Sequence, residues 1–271
     1  MCALVTVFFI WSPLVARADH ELRVSFLNVG QGDAIFIESP TGIQVLIDGG
    51  RDRSVLRELS TVMPWYDRSI DLVIATHPDA DHITGLIDVL DRYDVGAVIE
   101  SSVRGDTDLW RVLKGVIAAE GAARAVAMRG QMIDLGGGAR LEILFPDRAV
   151  PQVEKNAGSI VARLVYGDTA FMFTGDSPIP IEKYVAALGG SALKSDVLKV
   201  GHHGSRTSSS REFVEAVHPK SAVISRGCDN TYGHPHKEAI ELFAELHIPT
   251  FDTCTNGRTT FISDGTTVNK I

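Results

Sequence analysis

The sequence predicts an α/β domain of two stacked β-sheets with helices on their outer faces. Three observations predict it. Short apolar runs bounded by Gly-rich turns recur in both halves of the chain. Stretches of helical period separate these runs. Several runs end directly in loops rich in His and Asp, the place where an α/β sheet carries a site.

The elements follow in order. Apolar runs at 22–27, 34–37 and 43–47 are separated by Gly30-Gln31-Gly32 and Thr41-Gly42, which predicts a meander of antiparallel strands. Residues 53–62 follow a helical period, 70–75 read as a buried strand, 85–93 as a helix, 97–99 as a strand and 109–119 as a helix. The second half repeats the theme without sequence similarity. Strands are expected at 139–144, 159–165 and 170–173, a helix at 181–187 and a strand at 197–200. A helix at 213–217, a strand at 222–225, a helix at 237–246 and short strands at 258–262 close the chain. With 271 residues, 45% of them hydrophobic, one large core is affordable. No linker is long enough to divide residues 19–271, which are read as one domain.

The first eighteen residues differ. An apolar run, interrupted by Ser12-Pro13, ends in Ala16-Arg17-Ala18, a small-x-small pattern before Asp19. Residues 1–18 are read as a secretory signal peptide cleaved after Ala18. The run is short for a membrane span, so no stable membrane insertion is expected after cleavage. An uncleaved N-terminal anchor is the alternative, because no Lys or Arg precedes the run. The expected location is secreted or periplasmic. Cleavage removes Arg17 and no acid, leaving 25 basic and 34 acidic residues and a formal charge of −9. That excludes a general nucleic-acid coat. It does not exclude an enzyme that meets phosphates only at a metal site, where divalent cations reverse the local sign. Cys228 and Cys254 remain in the mature chain. In an oxidising compartment they are a candidate pair, and two separate thiols are equally compatible with their spacing.

The chemistry concentrates in four loops. His77-Pro78-Asp79-Ala80-Asp81-His82 packs two His and two Asp between a buried strand and a helix. Imidazole and carboxylate are the usual ligands for divalent metals in hydrolysis. A helix cap would account for one Asp and neither His. Phe173-Thr174-Gly175-Asp176 is a strand ending in an acid, which alone is an ordinary turn. Val200-Gly201-His202-His203-Gly204-Ser205 and Tyr232-Gly233-His234-Pro235-His236 add two clusters. Together these loops hold six of the nine His at element ends, where core histidines are not expected.

This order of motifs resembles the metallo-β-lactamase superfamily. More narrowly it resembles the metallo-β-lactamase-like C-terminal domain of ComEC competence proteins. Asn28-Val29-Gly30-Gln31-Gly32-Asp33-Ala34, Leu46-Ile47-Asp48-Gly49-Gly50 and Asn156-Ala157-Gly158-Ser159-Ile160-Val161 extend the resemblance across residues 22 to about 262. It implies an αββα sandwich with a two-metal site at one edge. It implies that His77 and Asp79 bind one metal and Asp81 and His82 the second, with Asp176 bridging. One of His202 and His203 would complete the second site. His202 is preferred, because it directly follows the Val200-Gly201 end of the apolar run, and His203 would then face substrate. His234 is expected at the substrate or leaving group, and His236 at a helix start on the surface. Asp33 and Asp48 would orient ligands. Two departures stand out. Asn28 stands where the family usually has Asp, and Asn156 where many relatives place a His. No channel is expected to accompany the domain, so a role in DNA uptake is not expected to carry over.

Asp79 replaces the second His of the more common His-x-His-x-Asp-His loop and hardens the ligand set, so two Zn or Mn ions are expected. Two such ions can activate a water and clamp both oxygens of an in-line displacement. Asp81 or Asp176 would orient that water, and His203, His234, Arg206 or Arg226 would meet phosphoryl charge. The leading reading is a secreted phosphodiesterase or nuclease, acting on a small phosphodiester or a nucleic acid. The catalytic groups would be Asp81, His203 and His234. Two other readings are carried. One is a lactonase, β-lactamase or phosphocholine esterase on the same scaffold. The other is a metal-bound binding protein without turnover.

Overall fold

A computed structural model describes residues 21–271. The segment read as a signal peptide lies outside the described residues. The first half contains β1 (Leu22–Phe26), β2 (Ile35–Glu38), β3 (Gln44–Ile47), α1 (Ser54–Val62), β4 (Ser69–Ala75), α2 (Ala80–Leu90), β5 (Asp94–Glu100), α3 (Asp108–Glu120) and β6 (Ala123–Val126). The second contains β7 (Met132–Asp134), β8 (Ala139–Phe145), β9 (Val161–Tyr166), β10 (Thr169–Phe173), α4 (Ile179–Gly189), β11 (Val197–Lys199), α5 (Arg211–Val217), β12 (Ser221–Ile224), α6 (Lys237–Glu245), β13 (Thr250–Asp252), α7 (Thr253–Asn256), β14 (Thr259–Ser263) and β15 (Val268–Lys270).

Two mixed sheets form. One has the order β15-β14-β1-β2-β3-β4-β5-β6, the other β13-β12-β11-β10-β9-β8-β7. The expected meander is there: β1–β2 and β2–β3 are antiparallel. From β3 onward the first sheet runs parallel, as does β10 to β13 in the second. The period-2 alternation of each strand sorts its side chains between two cores. Leu72 and Ile74 of β4 face the inter-sheet core with Phe26, Phe171, Phe173 and Phe261. Val73 and Ala75 face α1, α2 and α3 with Val55, Leu86 and Leu113. A third core packs Phe213, Val214 and Phe243 of α5 and α6 on the second sheet. The result is the αββα sandwich. Parallel strands buried on both faces explain the apolar runs without polar alternation.

Four strands escape the sequence reading: β6, β7, β13 and β15. They are short and lie at sheet edges, and all of β6 is exposed, so no apolar signal marks them. The helix expected at 85–93 begins earlier, at Ala80. Gly85 sits inside it, at a point where a Cβ would lie 1.9 Å from the Gly49 carbonyl oxygen. This correction has a functional consequence, since Asp81 and His82 stand in the first turn of α2.

Cys228 and Cys254 are bonded, with Cα atoms 5.0 Å apart. The bridge ties the loop after β12 to α7. Closing a loop with a sequence separation of 26 stabilises the fold by about 3.5 kcal/mol in the chain-entropy account. Cys228→Ser with Cys254→Ser should therefore lower unfolding stability by about that amount, read as a shift of the urea midpoint. Reductant should shift wild type similarly and leave the double variant unmoved.

On α4, Glu182 is 1% exposed and accepts the amides of Ser209 (2.8 Å) and Ser210 (2.6 Å). Burial pushes its carboxyl up to about 7, with the two amide donors pulling against the rise. A folded-state value above the ordinary 4.5 favours the protonated group in the folded chain. Its contribution is thus intact below about pH 4.5 and is lost as pH rises through about 7, by on the order of 3 kcal/mol. Urea midpoints of wild type relative to Glu182→Gln should fall across that window and be flat above it.

Candidate metal centre

Every loop at the site leaves the C-terminal end of a strand. Asp33 follows β1, Asp48 β3, His77 β4, Asp176 β10, and His202 and His203 β11. The sandwich therefore gathers residues spread over 170 positions at one edge. The Gly30–Asp33 turn packs directly under the His77 loop. Gly32 has φ +118°, and a Cβ there would lie 1.9 Å from the Asp81 carbonyl oxygen, so only glycine permits this approach. The Asp33 amide donates to that same carbonyl at 3.3 Å.

Three imidazoles are turned the same way. Asp48, fully buried, accepts the Thr76 amide (2.8 Å), the Thr76 hydroxyl (2.6 Å) and His82 Nδ1 (2.8 Å). The Thr76 hydroxyl, spent as a donor to Asp48, accepts from His77 Nδ1 at 3.0 Å. His203 Nδ1 donates to the Ser225 carbonyl at 2.8 Å. With each Nδ1 donating outward, each Nε2 presents a lone pair inward. The Nε2 atoms of His77, His82 and His203 are buried and make no hydrogen bond, as is Asp176 Oδ1. Asp176 Oδ2 lies 3.9, 3.3 and 3.3 Å from the three nitrogens, and Asp81 Oδ2 is 3.4 Å from His203 Nε2. Buried polar atoms without partners are costly; bound cations contacting them would satisfy the set. Candidate ligand groups are His77–His82–Asp176 and Asp81–His82–His203. The residues fit a bound metal.

The electrostatics agree. Burial opposes charge on His82 and His203, yet Asp176, with Asp48 beside His82, raises both well above the ordinary range. Burial likewise opposes ionisation of Asp176, but His203 and His82 hold it well below the usual carboxylate range. His77 goes the other way, pushed to about 3 by burial and the neighbouring His82. The pocket thus draws positive charge strongly, a demand that divalent cations answer with the imidazoles neutral.

Asp79 stands at the N-cap of α2, but its side chain makes no capping bond. It lies 3.7 Å from His77 Nε2 and 3.5 Å from Lys155. His202 and His203 both have left-handed backbones, φ 47° and 56°, a conformation that L-residues adopt at a cost. The tight turn separates their side chains. His203 is 1% exposed and points inward. His202 is a quarter exposed, 3.6 Å from Asp176 and 3.2 Å from the Thr207 hydroxyl. The sequence-level preference for His202 as ligand thus meets a geometry in which His203 lies deeper among the ligands. His234 packs beside His202 (ring centroids 5.5 Å) and stacks on Tyr232 (5.6 Å). His236 stands at the N-terminal end of α6 without a capping bond to it, and accepts the Arg206 amide at 3.2 Å. Arg226 is engaged by Asp252 at 2.6 Å, while Arg206 is exposed. Asn156 opens a 3-10 turn with its side-chain oxygen buried and unpartnered.

Lys199 is the residue the sequence reading missed. It is fully buried, paired with Asp33 and 3.8 Å from Asp176. Its signal was a lone cation inside the apolar run Val197-Leu198-Lys199-Val200; a buried Lys demands an acid partner.

The fold and site define a class: a metal-dependent hydrolase scaffold with candidate His and Asp ligands at the edge of an αββα sandwich. The profile of the metallo-beta-lactamase superfamily matches residues 27–227, and the chain belongs to that superfamily. It is 29% identical to ComE operon protein 3 of Bacillus subtilis (strain 168), over 94% of this chain and 34% of that protein. It is 30% identical to Competence protein ComA of Neisseria gonorrhoeae, over 86% of this chain and 31% of that one. The chain spans about a third of the length of these relatives. Among solved structures it superposes on the metallo-beta-lactamase fold protein YhfI of Bacillus subtilis. The TM-score is 0.57 at 14% identity, covering 86% and 95% of the two chains. It also superposes on CmlA, a diiron beta-hydroxylase of Streptomyces venezuelae, with TM-score 0.57 at 16% identity, covering 88% and 53%. At these identities the two structures establish the fold alone.

Asp48→Asn should keep the fold but loosen both His82 and Thr76. Metal affinity should drop about 10- to 100-fold, read by titration of the metal-stripped protein, with circular dichroism unchanged.

Proposed function

We propose that the chain is a secreted two-metal phosphodiesterase or nuclease, with Zn or Mn as its metal. The observation that carries this reading is the oxygen-rich ligand set, in which Asp79, Asp81 and Asp176 stand among three inward-facing imidazoles. His77, Asp79 and Asp176 would hold one ion. Asp81, His82, Asp176 and His203 would hold the other. When bound, such a pair supplies Lewis acidity and an acidified water. Asp176 would hold the two sites in register, and Asp81, on the first turn of α2, would orient the attacking water. His202 and His234, at the open side beside exposed Arg206, would meet the phosphoryl oxygens and the leaving group. A small phosphodiester or a single strand is the substrate class favoured, because the acidic chain repels extended DNA. Similarity to the two competence proteins is compatible with this substrate class. The apolar N-terminal segment and the Cys228–Cys254 bridge favour an oxidising, extracytoplasmic location. Among the described residues no helix is long and apolar enough to cross a membrane.

The test is turnover of bis-p-nitrophenyl phosphate, single-stranded DNA and nitrocefin, each with Mn or Zn and after chelation. Metal-dependent diester cleavage is expected, falling by about two orders of magnitude or more in Asp81→Ala. Cleavage of nitrocefin alone would assign a different ester or lactam substrate. Bound metal with no turnover of any substrate would leave a binding protein, and absence of metal in elemental analysis overturns the centre itself.

A further inference from the structure

The two halves of the centre are braced very differently. Asp81, His82, Asp176 and His203 are flanked by Asp48, the Ser225 carbonyl and the buried Asp33–Lys199 pair. Of the other set, His77 is braced through Thr76, but Asp79 has no supporting hydrogen bond from its own helix. Its Oδ2 faces His77 at 3.7 Å, while its Oδ1 faces the ammonium of Lys155 at 3.5 Å. Lys155 in turn lies 3.0 Å from Asp106, whose side chain is 82% exposed. An ammonium and a divalent cation would therefore meet at one carboxylate, and Lys155 has a second carboxylate already within reach.

We propose that the two metal positions are unequal, and that Lys155 sets the weaker one by holding Asp79 until it moves wholly onto Asp106. This rests on the two-metal reading above. Lys155 acts here as a positioning residue, since it works through Asp79 and touches no reacting atom. Competition at a third-exposed ion pair is a modest effect, on the order of two- to fivefold in affinity. Its sign is what makes it diagnostic. Removing Lys155 should strengthen the second position, whereas damage to the fold would weaken both. Removing Asp106 should do the reverse, because Lys155 then has only Asp79.

The experiment is a Mn²⁺ titration of the metal-stripped full chain, followed by calorimetry and by the paramagnetic signal of free ion. Wild type should bind two equivalents, the first more tightly. Lys155→Met should tighten the second about two- to fivefold and leave the first unchanged, Lys155→Arg should behave as wild type, and Asp106→Asn should weaken the second. Equal affinities in wild type, or a second equivalent indifferent to Lys155→Met, would overturn the proposal. Unequal binding with no diester hydrolysis would uphold it and remove only the substrate reading. A chain that binds no Mn²⁺ removes both.

Discussion

A single buried carboxylate organises this edge of the molecule. Asp48 lies just past β3 with a left-handed backbone (φ 57°) and no exposed surface. Through Thr76 it fixes the end of β4 and, one residue further, the tautomer of His77. Directly it fixes His82 on α2. Burial pushes Asp48 towards its neutral form and the His82 charge opposes that. As an ionised acceptor of three donors it converts three separate backbone segments into one rigid frame. A binding site needs that preorganisation, because ligands free to rotate would lose affinity to entropy and to competing hydrogen bonds.

The second constraint is charge. Asp33, Asp48 and Asp176 are all buried at one edge, an arrangement that is strongly unfavourable without compensating positive charge. Part of that compensation is built in. Lys199 pairs with Asp33, and this neighbour holds the Asp33 carboxyl below its ordinary range although burial raises it. The rest of the demand falls on the centre of the site, where unpartnered Nε2 atoms converge. Structure and chemistry thus meet in one balance: the carboxylates that are costly to bury at this edge are those that draw a cation to it.

The superfamily does not by itself choose the reaction, since a fold hosts chemistry through the residues placed on it. CmlA, which superposes on most of this chain, is named as a beta-hydroxylase. The particular features here are Asp79 beside His77, its contact with Lys155, and the deep setting of His203. They distinguish this edge on a frame the fold shares.

Much of this was legible in local sequence. Apolar runs marked the buried strands, and the loops at their ends carried ligand types too dense for capping alone. Strand ends and ligand spacing are short-range properties, so the chain displays them directly. The edge strands β6, β7, β13 and β15 were not legible, because exposed pairing partners need no apolar pattern. The start of α2 at Ala80 precedes the expected 85, and Gly85 within it admits the Gly49 backbone from a distant turn. The choice between His202 and His203, the pairing of Lys199 with Asp33, the reach of Lys155 to Asp79 and the Cys228–Cys254 bond are contacts between remote segments. Sequence determined which donors exist and which strand ends present them; packing of the two sheets decided which donors face inward together, since burial and orientation arise only when those segments meet.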